Sequence, residues 1–264
     1  MRGRYERPQT VAEAVQLLAS DSWALLAGGT DWYPARVGKP TDEALLDLSA
    51  LAALRGIEGD GTAWTIGATT TWSDLARAEL PPLFHGLQAA ARDIGGVQIQ
   101  NAGTVGGNLC NASPAADGVP ALLALDASVV LVSAAAGERC LPLRDFIVGP
   151  RRTLRRSDEL LTALRIPARA ESARSVFAKL GGRRYLVISI AMVSAVVVVD
   201  ADGIVSHAAV AVGSCSPVAQ RLDALEARLV GVSVAAMADL VEAGDLAALT
   251  PIDDVRASAT YRRD

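Results

Sequence analysis

Metal-ligating residues are scarce in this 264-residue chain. It holds three cysteines, Cys110, Cys140 and Cys215, and two histidines, His85 and His207. No C-x-x-C spacing occurs, so the chain alone offers neither a zinc site nor a cysteine set for an iron–sulfur cluster. An odd number of scattered cysteines also argues against a disulfide scaffold and fits a reducing cytoplasm. Lysine is nearly missing: 23 of the 25 basic residues are arginine, and only Lys39 and Lys179 are not. A net charge of −4 gives no electrostatic footprint for nucleic acid or anionic lipid. The longest apolar stretch, Ile188 to Val199, spans 12 residues and contains Ser189 and Ser194. That is short of the ~20 residues that cross a bilayer. The N-terminus, Met1-Arg2-Gly3-Arg4-Tyr5-Glu6-Arg7-Pro8, is charged and leads into no apolar segment, so it is no secretory signal. Neither G-x-G-x-x-G nor G-x-x-x-x-G-K-[ST] is found, which removes the Rossmann and Walker A fingerprints. The expectation is a soluble protein whose redox chemistry, if it has any, belongs to a bound cofactor.

What is present is 51% hydrophobic residues, 23 glycines and 12 prolines, a globular profile. Thr10-Val11-Ala12-Glu13 is a capping-box pattern that opens a helix over about 11–19. Short strands are expected at Trp23–Ala27, Ala44–Leu48 and Trp64–Ala68, with Thr71 capping a helix that runs to about Glu79. Leu83–Asp93 and Asp117–Leu125 read as helices, and Ser128–Ser133 as a buried strand. Ala168–Arg174 is small and polar, a linker. Beyond it come a strand at Ser175–Leu180 and two strands, Ile190–Val199 and Ile204–Val212, turning at Asp202-Gly203. From Pro217, the residues Val218, Leu222, Leu225 and Leu229 recur at helical spacing, with further helices around 233–243 and 253–262.

Two glycine segments carry the chemistry. Leu26-Ala27-Gly28-Gly29-Thr30-Asp31 runs from a strand into two glycines and a hydroxyl. Glycine lets backbone N–H groups approach a phosphate, and a nest of such groups binds an anion without lysine or arginine. About 75 residues on, Asn101-Ala102-Gly103-Thr104-Val105-Gly106-Gly107-Asn108 repeats the pattern, and Cys110 and Ser113-Pro114-Ala115-Ala116-Asp117 follow. Two such loops can clamp the two halves of a pyrophosphate. Asp117 can accept from a sugar hydroxyl or simply cap the helix it precedes.

These segments resemble the FAD-binding medium subunit of molybdenum hydroxylases, the family of carbon monoxide dehydrogenase and xanthine dehydrogenase. The resemblance continues in order through Asp145-Phe146-Ile147-Val148-Gly149-Pro150-Arg151-Arg152-Thr153 and Asp158-Glu159-Leu160-Leu161. It resumes at Phe177-Ala178-Lys179-Leu180-Gly181-Gly182-Arg183-Arg184, Pro251-Ile252-Asp253-Asp254-Val255-Arg256 and Tyr261-Arg262-Arg263. It implies an α+β chain: a vanillyl-alcohol-oxidase-type FAD-binding fold of two subdomains, 1–55 and 56–168, and a C-terminal antiparallel sheet with helices, 174–264. It implies that Ala27, Gly28, Gly29, Thr30 and Asp31, with Thr104, Gly106, Gly107 and Asn108, lie on the pyrophosphate, and that Leu26 and Ala102 also belong to the cofactor site. It sets Asp117 on the sugar-like chain, and Trp32, Cys110, Leu161 and Lys179 beside the flavin ring. A lysine there can stabilise negative charge on reduced flavin. Members of the family often carry an acidic residue a few positions after the arginine pair. Here Tyr185-Leu186-Val187 occupies that stretch.

By the same resemblance, a large molybdopterin subunit oxidises the substrate, and a small subunit with [2Fe–2S] clusters passes electrons through this FAD to an external acceptor. A cytoplasmic heterotrimer follows, or a dimer of heterotrimers. Two other classes stay open: a free-standing FAD oxidoreductase acting on a small substrate, and a flavin-less structural subunit. No residue is expected to perform acid–base catalysis or bind metal. His85 and His207 adjoin neither glycine segment, Cys215 has no base near it in sequence, and the Arg151–Arg156 basic run reads as a solvated loop or a subunit contact.

Overall fold

The computed structural model describes residues 3–39 and 42–264. Met1 and Arg2 of the charged N-terminus, and Pro40 and Thr41 within the first expected subdomain, lie outside the described residues. The chain begins with β1 (Tyr5–Glu6), α1 (Val11–Ser20), β2 (Ala24–Leu26) and β3 (Leu45–Asp47). The three strands form a parallel sheet in the order β1-β3-β2. Thr10 caps α1 by accepting from the Glu13 N–H, while the Glu13 carboxylate accepts from Gln9 rather than from Thr10 itself. Ala14, Val15 and Leu18 of α1 are buried with Leu46, Leu48, Leu51, Leu54 and Leu160.

A second layer follows: β4 (Ile57–Gly59), β5 (Ala63–Gly67), α2 (Trp72–Arg77), α3 (His85–Asp93), α4 (Val97–Ala102), α5 (Val105–Asn111) and α6 (Gly118–Ala124). It continues with β6 (Ser128–Ser133), β7 (Gly137–Pro142), the single turn α7 (Leu143–Phe146), β8 (Ile147–Gly149), β9 (Arg152–Thr153) and β10 (Leu160–Pro167). Five of these strands make an antiparallel sheet, β4-β5-β10-β6-β7. Ile66, Val129, Leu131 and Leu164 of that sheet share one core with Trp72, Leu75, Phe84, Leu87, Leu109 and Leu122 of the helical layer.

The last unit holds β11 (Arg174–Leu180), β12 (Ala191–Val199), β13 (Val205–Gly213), β14 (Gln220–Arg221), α8 (Asp223–Leu229) and α9 (Ala259–Arg263). Its four strands are antiparallel in chain order. At the β12–β13 turn Gly203 takes φ +77°, which explains the Asp-Gly signal. Val196, Val198, Ala209 and Ala211 enter the main core, whereas Ala208, Val212, Leu222, Leu225 and Leu229 form a cluster of their own. The chain is thus α+β.

The structure corrects four expectations about local structure. The second glycine segment is not a loop, because Val105–Asn111 is helical with Thr104 as its N-cap. The apolar spacing from Pro217 is only partly helical. Gln220 and Arg221 join the sheet, since the Leu222 N–H donates to Val210 O and pins this stretch to β13, and the helix starts at Asp223. The expected 233–243 helix is a 3₁₀ turn at Val234–Leu240, with no buried residue to select a full α-turn. The expected 253–262 helix shrinks to Ala259–Arg263.

Gly118 marks the tightest point beside α2. A Cβ built there would stand 2.3 Å from Cη2 of Trp72, and the Trp72 ring is fully buried and cannot retreat. Gly118→Ala is expected to lower unfolding stability by about 1–3 kcal/mol through overpacking. Equilibrium urea unfolding measures this, and an unchanged midpoint would contradict the packing.

Candidate cofactor-binding site

The two glycine segments meet because Gly28 has no side chain, and a second glycine, Gly106, seats the second segment on Ala68. A Cβ on Gly28 would stand 1.8 Å from the Ala102 carbonyl oxygen, backbone against backbone. A Cβ on Gly106 would lie 2.7 Å from the Ala68 Cβ, and the Gly106 N–H donates to Ala68 O at 2.8 Å. Gly29 has a different constraint: its φ of +68° is a left-handed conformation that favours glycine. The Gly28 contact closes the end of β2 onto the end of α4, and the Gly106 contact closes the start of α5 onto the residue that follows β5.

Between them opens a cavity of about 1020 Å³, at the large end of the ~300–1,000 Å³ range of small-molecule sites. Leu26, Ala27, Gly28, Gly29, Thr30, Asp31 and Trp32 line it on one side. Thr104, Gly106, Gly107, Asn108 and Cys110 line it on another, and Leu161 of β10 contributes as well. Ala102 does not line it; its carbonyl is the floor on which Gly28 rests.

The donors divide unevenly. The amide N–H groups of Gly28, Gly29, Thr30 and Asp31 find no acceptor among the described residues. In the second segment the first-turn amides are already engaged: Val105 donates to Thr70 O, Gly106 to Ala68 O and Gly107 to Thr104 Oγ1. The matching role expected of two equivalent loops is therefore asymmetric. The first segment leaves open amides, and the second gives close packing plus side chains. A Cβ on Gly107 would meet only the Thr104 side chain, so space lies open above it.

Two buried polar atoms of the lining have no partner, Nε1 of Trp32 and Oδ1 of Asn108. Such orphans are costly unless a ligand satisfies them. The Trp32 ring is held edge-on to Tyr33 with centroids 5.0 Å apart, and the Arg36 guanidinium sits 4.4 Å from its centroid. Burial pushes the Cys110 thiol up to about 11, so it is neutral at pH 7 and acts as a small apolar wall. An elongated polar ligand carrying an anionic group and a planar ring suits this lining.

Asp117 and Lys179 do not line the cavity. They form a buried ion pair at 2.7 Å, with Ser189 also donating to Asp117 and Lys179 donating to the Asp93 carbonyl at 3.2 Å. Asp117 makes no side-chain cap to α6, so the capping alternative does not describe it. Burial pushes its carboxyl above the usual carboxylate range, against the pull of Lys179 and Ser189. Lys179 also borders a second cavity of about 510 Å³ with Asp93, Arg183, Arg184 and Tyr185. The two cavities approach each other where Ile94 lines the first and Asp93 the second.

Sequence reasoning missed part of the lining. Arg151, Arg152, Thr153 and Arg155, read as a solvated loop or a subunit contact, border the main cavity, as do Arg36, Thr69, Ile94 and Ile99. The available signal was the Gly149-Pro150 turn before the run, which swings it back over α5. His85 and His207 lie elsewhere, on α3 and on β13 beside Asp126.

A sequence profile described as the FAD binding domain in molybdopterin dehydrogenase matches residues 1–169, and one for the CO dehydrogenase flavoprotein C-terminal domain matches 177–264. The carbon monoxide dehydrogenase medium chain of Hydrogenophaga pseudoflava is 33% identical over 277 residues, covering 99% of this chain and 92% of that one. The nicotinate dehydrogenase FAD-subunit of Eubacterium barkeri is 35% identical, covering 79% and 72%. The fold is similar to the solved reconstituted CO dehydrogenase from Oligotropha carboxidovorans, with a TM-score of 0.89 at 28% identity, covering 100% of this chain and 93% of that one.

The buried pair generates a test with a pH signature. Because burial raises the Asp117 carboxyl in the folded state, the folded chain keeps that proton to higher pH than the unfolded one. Its penalty is absent in acid and grows as pH rises through the folded value. Lys179→Met is expected to destabilise by about 3–5 kcal/mol at pH 7, since it strands a buried anion. The loss should shrink on acidification, as Asp117 takes up a proton. Denaturant unfolding at pH 7 and pH 5 reads both, and a loss identical at the two pH values would count against a charged pair.

Proposed function

The chain belongs to the FAD-binding medium subunits of the molybdenum hydroxylases, and from that premise we propose how its own residues hold the flavin. It is the FAD subunit of an oxidoreductase complex of the carbon monoxide dehydrogenase and xanthine dehydrogenase type. Bound FAD supplies the redox centre by which such a complex passes electrons from iron–sulfur clusters of a partner chain to an external acceptor.

One observation carries the assignment of the site: the four open amides of Gly28–Asp31 converge with the orphaned Trp32 and Asn108 atoms on a single cavity. The Gly28–Asp31 amides hold the diphosphate, and Thr104, Gly107 and Asn108 close over it from the second segment. Leu26, Ala27, Gly106 and Ala102 fix the separation of the two walls. Trp32, Cys110 and Leu161 shield the ring system from water, and Asp117 and Lys179 fix polarity at the far end, next to the second cavity. Among the described residues the main cavity is lined by no histidine, and its one carboxylate is Asp31. That lining orients a cofactor and offers little for acid–base work, which favours a relay over a free-standing oxidase.

The finer architecture belongs to the same proposal. Residues 1–55 and 56–168 are the two halves of a vanillyl-alcohol-oxidase-type fold embracing the flavin, and 174–264 is a separate C-terminal unit. The partners are a large molybdopterin subunit and a small iron–sulfur subunit, in a cytoplasmic heterotrimer that pairs as a dimer of heterotrimers. Among the described residues no helix is long and apolar enough to cross a membrane.

The purified subunit is expected to carry noncovalent FAD, with an oxidised-flavin absorbance released on denaturation. Gly107→Asp puts a side chain and a negative charge into the open space above that residue. It should weaken FAD binding roughly 100-fold or more while the circular dichroism stays native. A natively folded variant that keeps its flavin would place the diphosphate elsewhere, or argue for a flavin-less structural role.

A further inference from the structure

We infer that Arg152 is a phosphate-binding residue of the flavin site and that the Arg151–Arg155 hairpin supplies the positive charge the glycine segments lack. The inference rests on the FAD assignment above.

Neither glycine segment contains a lysine or arginine, and Asp31 puts a carboxylate at the cavity's edge. The compensating charge comes from the β8–β9 turn, β9 itself and the residues just after it. Arg151, Arg152 and Arg155 all border the cavity, and none is ion-paired with a carboxylate among the described residues. Arg156, the next in the run, is different: it pairs with Asp158 and Glu159 and does not line the cavity.

The three unpaired arginines are not equivalent. Arg151 is used up in holding the turn. Its backbone takes φ +59°, a strained conformation for a non-glycine residue. Its N–H donates to Ala112 O at 2.9 Å, and its guanidinium donates to the Asn111 side chain at the end of α5. Arg155 spends one guanidinium nitrogen on the carbonyls of Arg156 and Glu159, at 2.9 and 2.7 Å. Arg152 alone of the three makes no side-chain hydrogen bond among the described residues. Its whole planar fork is available, and that fork matches the bidentate geometry of a phosphate. The strain at Arg151 thus has a use: it anchors the turn to α5 so that the next residue stands at the cavity with nothing else to bind.

The test measures FAD dissociation constants of the purified full chain, stripped of flavin, by fluorescence quenching at low and high ionic strength. Arg152→Gln is expected to weaken FAD binding about 10- to 100-fold at low salt, the range of a charge-assisted bond. The gap from wild type should narrow as salt rises, because the group is exposed and screened. Arg152→Lys keeps the charge without the fork, so it should retain most of the salt dependence and recover only part of the affinity. Arg156→Gln should bind as wild type does. Unchanged affinity in Arg152→Gln, or a loss equal at every salt concentration, overturns the inference. A wild-type chain that rebinds no FAD overturns instead the cavity assignment beneath it.

Discussion

The contact between Gly28 and the carbonyl of Ala102 governs the rest of the site. It brings the end of a parallel β-layer against the helical layer at a distance no side chain allows. Once that approach is fixed, the Gly28–Asp31 turn cannot satisfy its own amides and stands open over a cavity. Gly106 repeats the device one step further on, against Ala68. Glycine here serves proximity first and anion binding second. The two uses are linked, because the same missing Cβ that permits packing leaves the amide face bare.

Charge is distributed around the cavity with some economy. The glycine segments provide dipoles, and the hairpin arginines provide net charge. A buried ion pair, Asp117 with Lys179, lies outside the main cavity, and its Lys179 borders the second one. The third unit of the chain is essential to that pair. Lys179 lies one residue before the end of β11, and Ser189, just before β12, completes the Asp117 cluster. Near the C-terminus the buried Arg262 guanidinium binds the carbonyls of Ile190 and Ser214, while the Ser214 N–H donates to Pro114 O. The last helix is therefore tied, through two short steps, to the segment that positions Asp117.

Half of the strands and the N-terminal helices were legible in the sequence, since Thr10, Thr71 and the Asp202-Gly203 turn are local signals with local causes, whereas β10, the central strand of the five-stranded sheet, was not. The elements that failed are those decided by distant partners. Gln220 and Arg221 pair with β13 despite a helical apolar spacing, because Arg221 finds Asp126, Glu226 and the Leu123 carbonyl there. The glycines of Val105–Asn111 masked a helix held by its cap and by Ala68 and Thr70. As for the site, the glycine segments were readable as chemistry, but the arginines across the cavity were not. Their arrival depends on a strained turn at Arg151, and nothing in a run of arginines announces which one keeps its guanidinium free of hydrogen bonds.

The open amides of Gly28–Asp31 are the anchor on which the proposed cofactor site depends. Amide hydrogen exchange of this segment, followed residue by residue as FAD is added to the full chain, tests it directly. Slowed exchange is expected at Gly28, Gly29, Thr30 and Asp31, while the amides of Gly106 and Gly107, already engaged within the protein, change little. FAD binding that leaves Gly28–Asp31 exchanging as fast as before would contradict it.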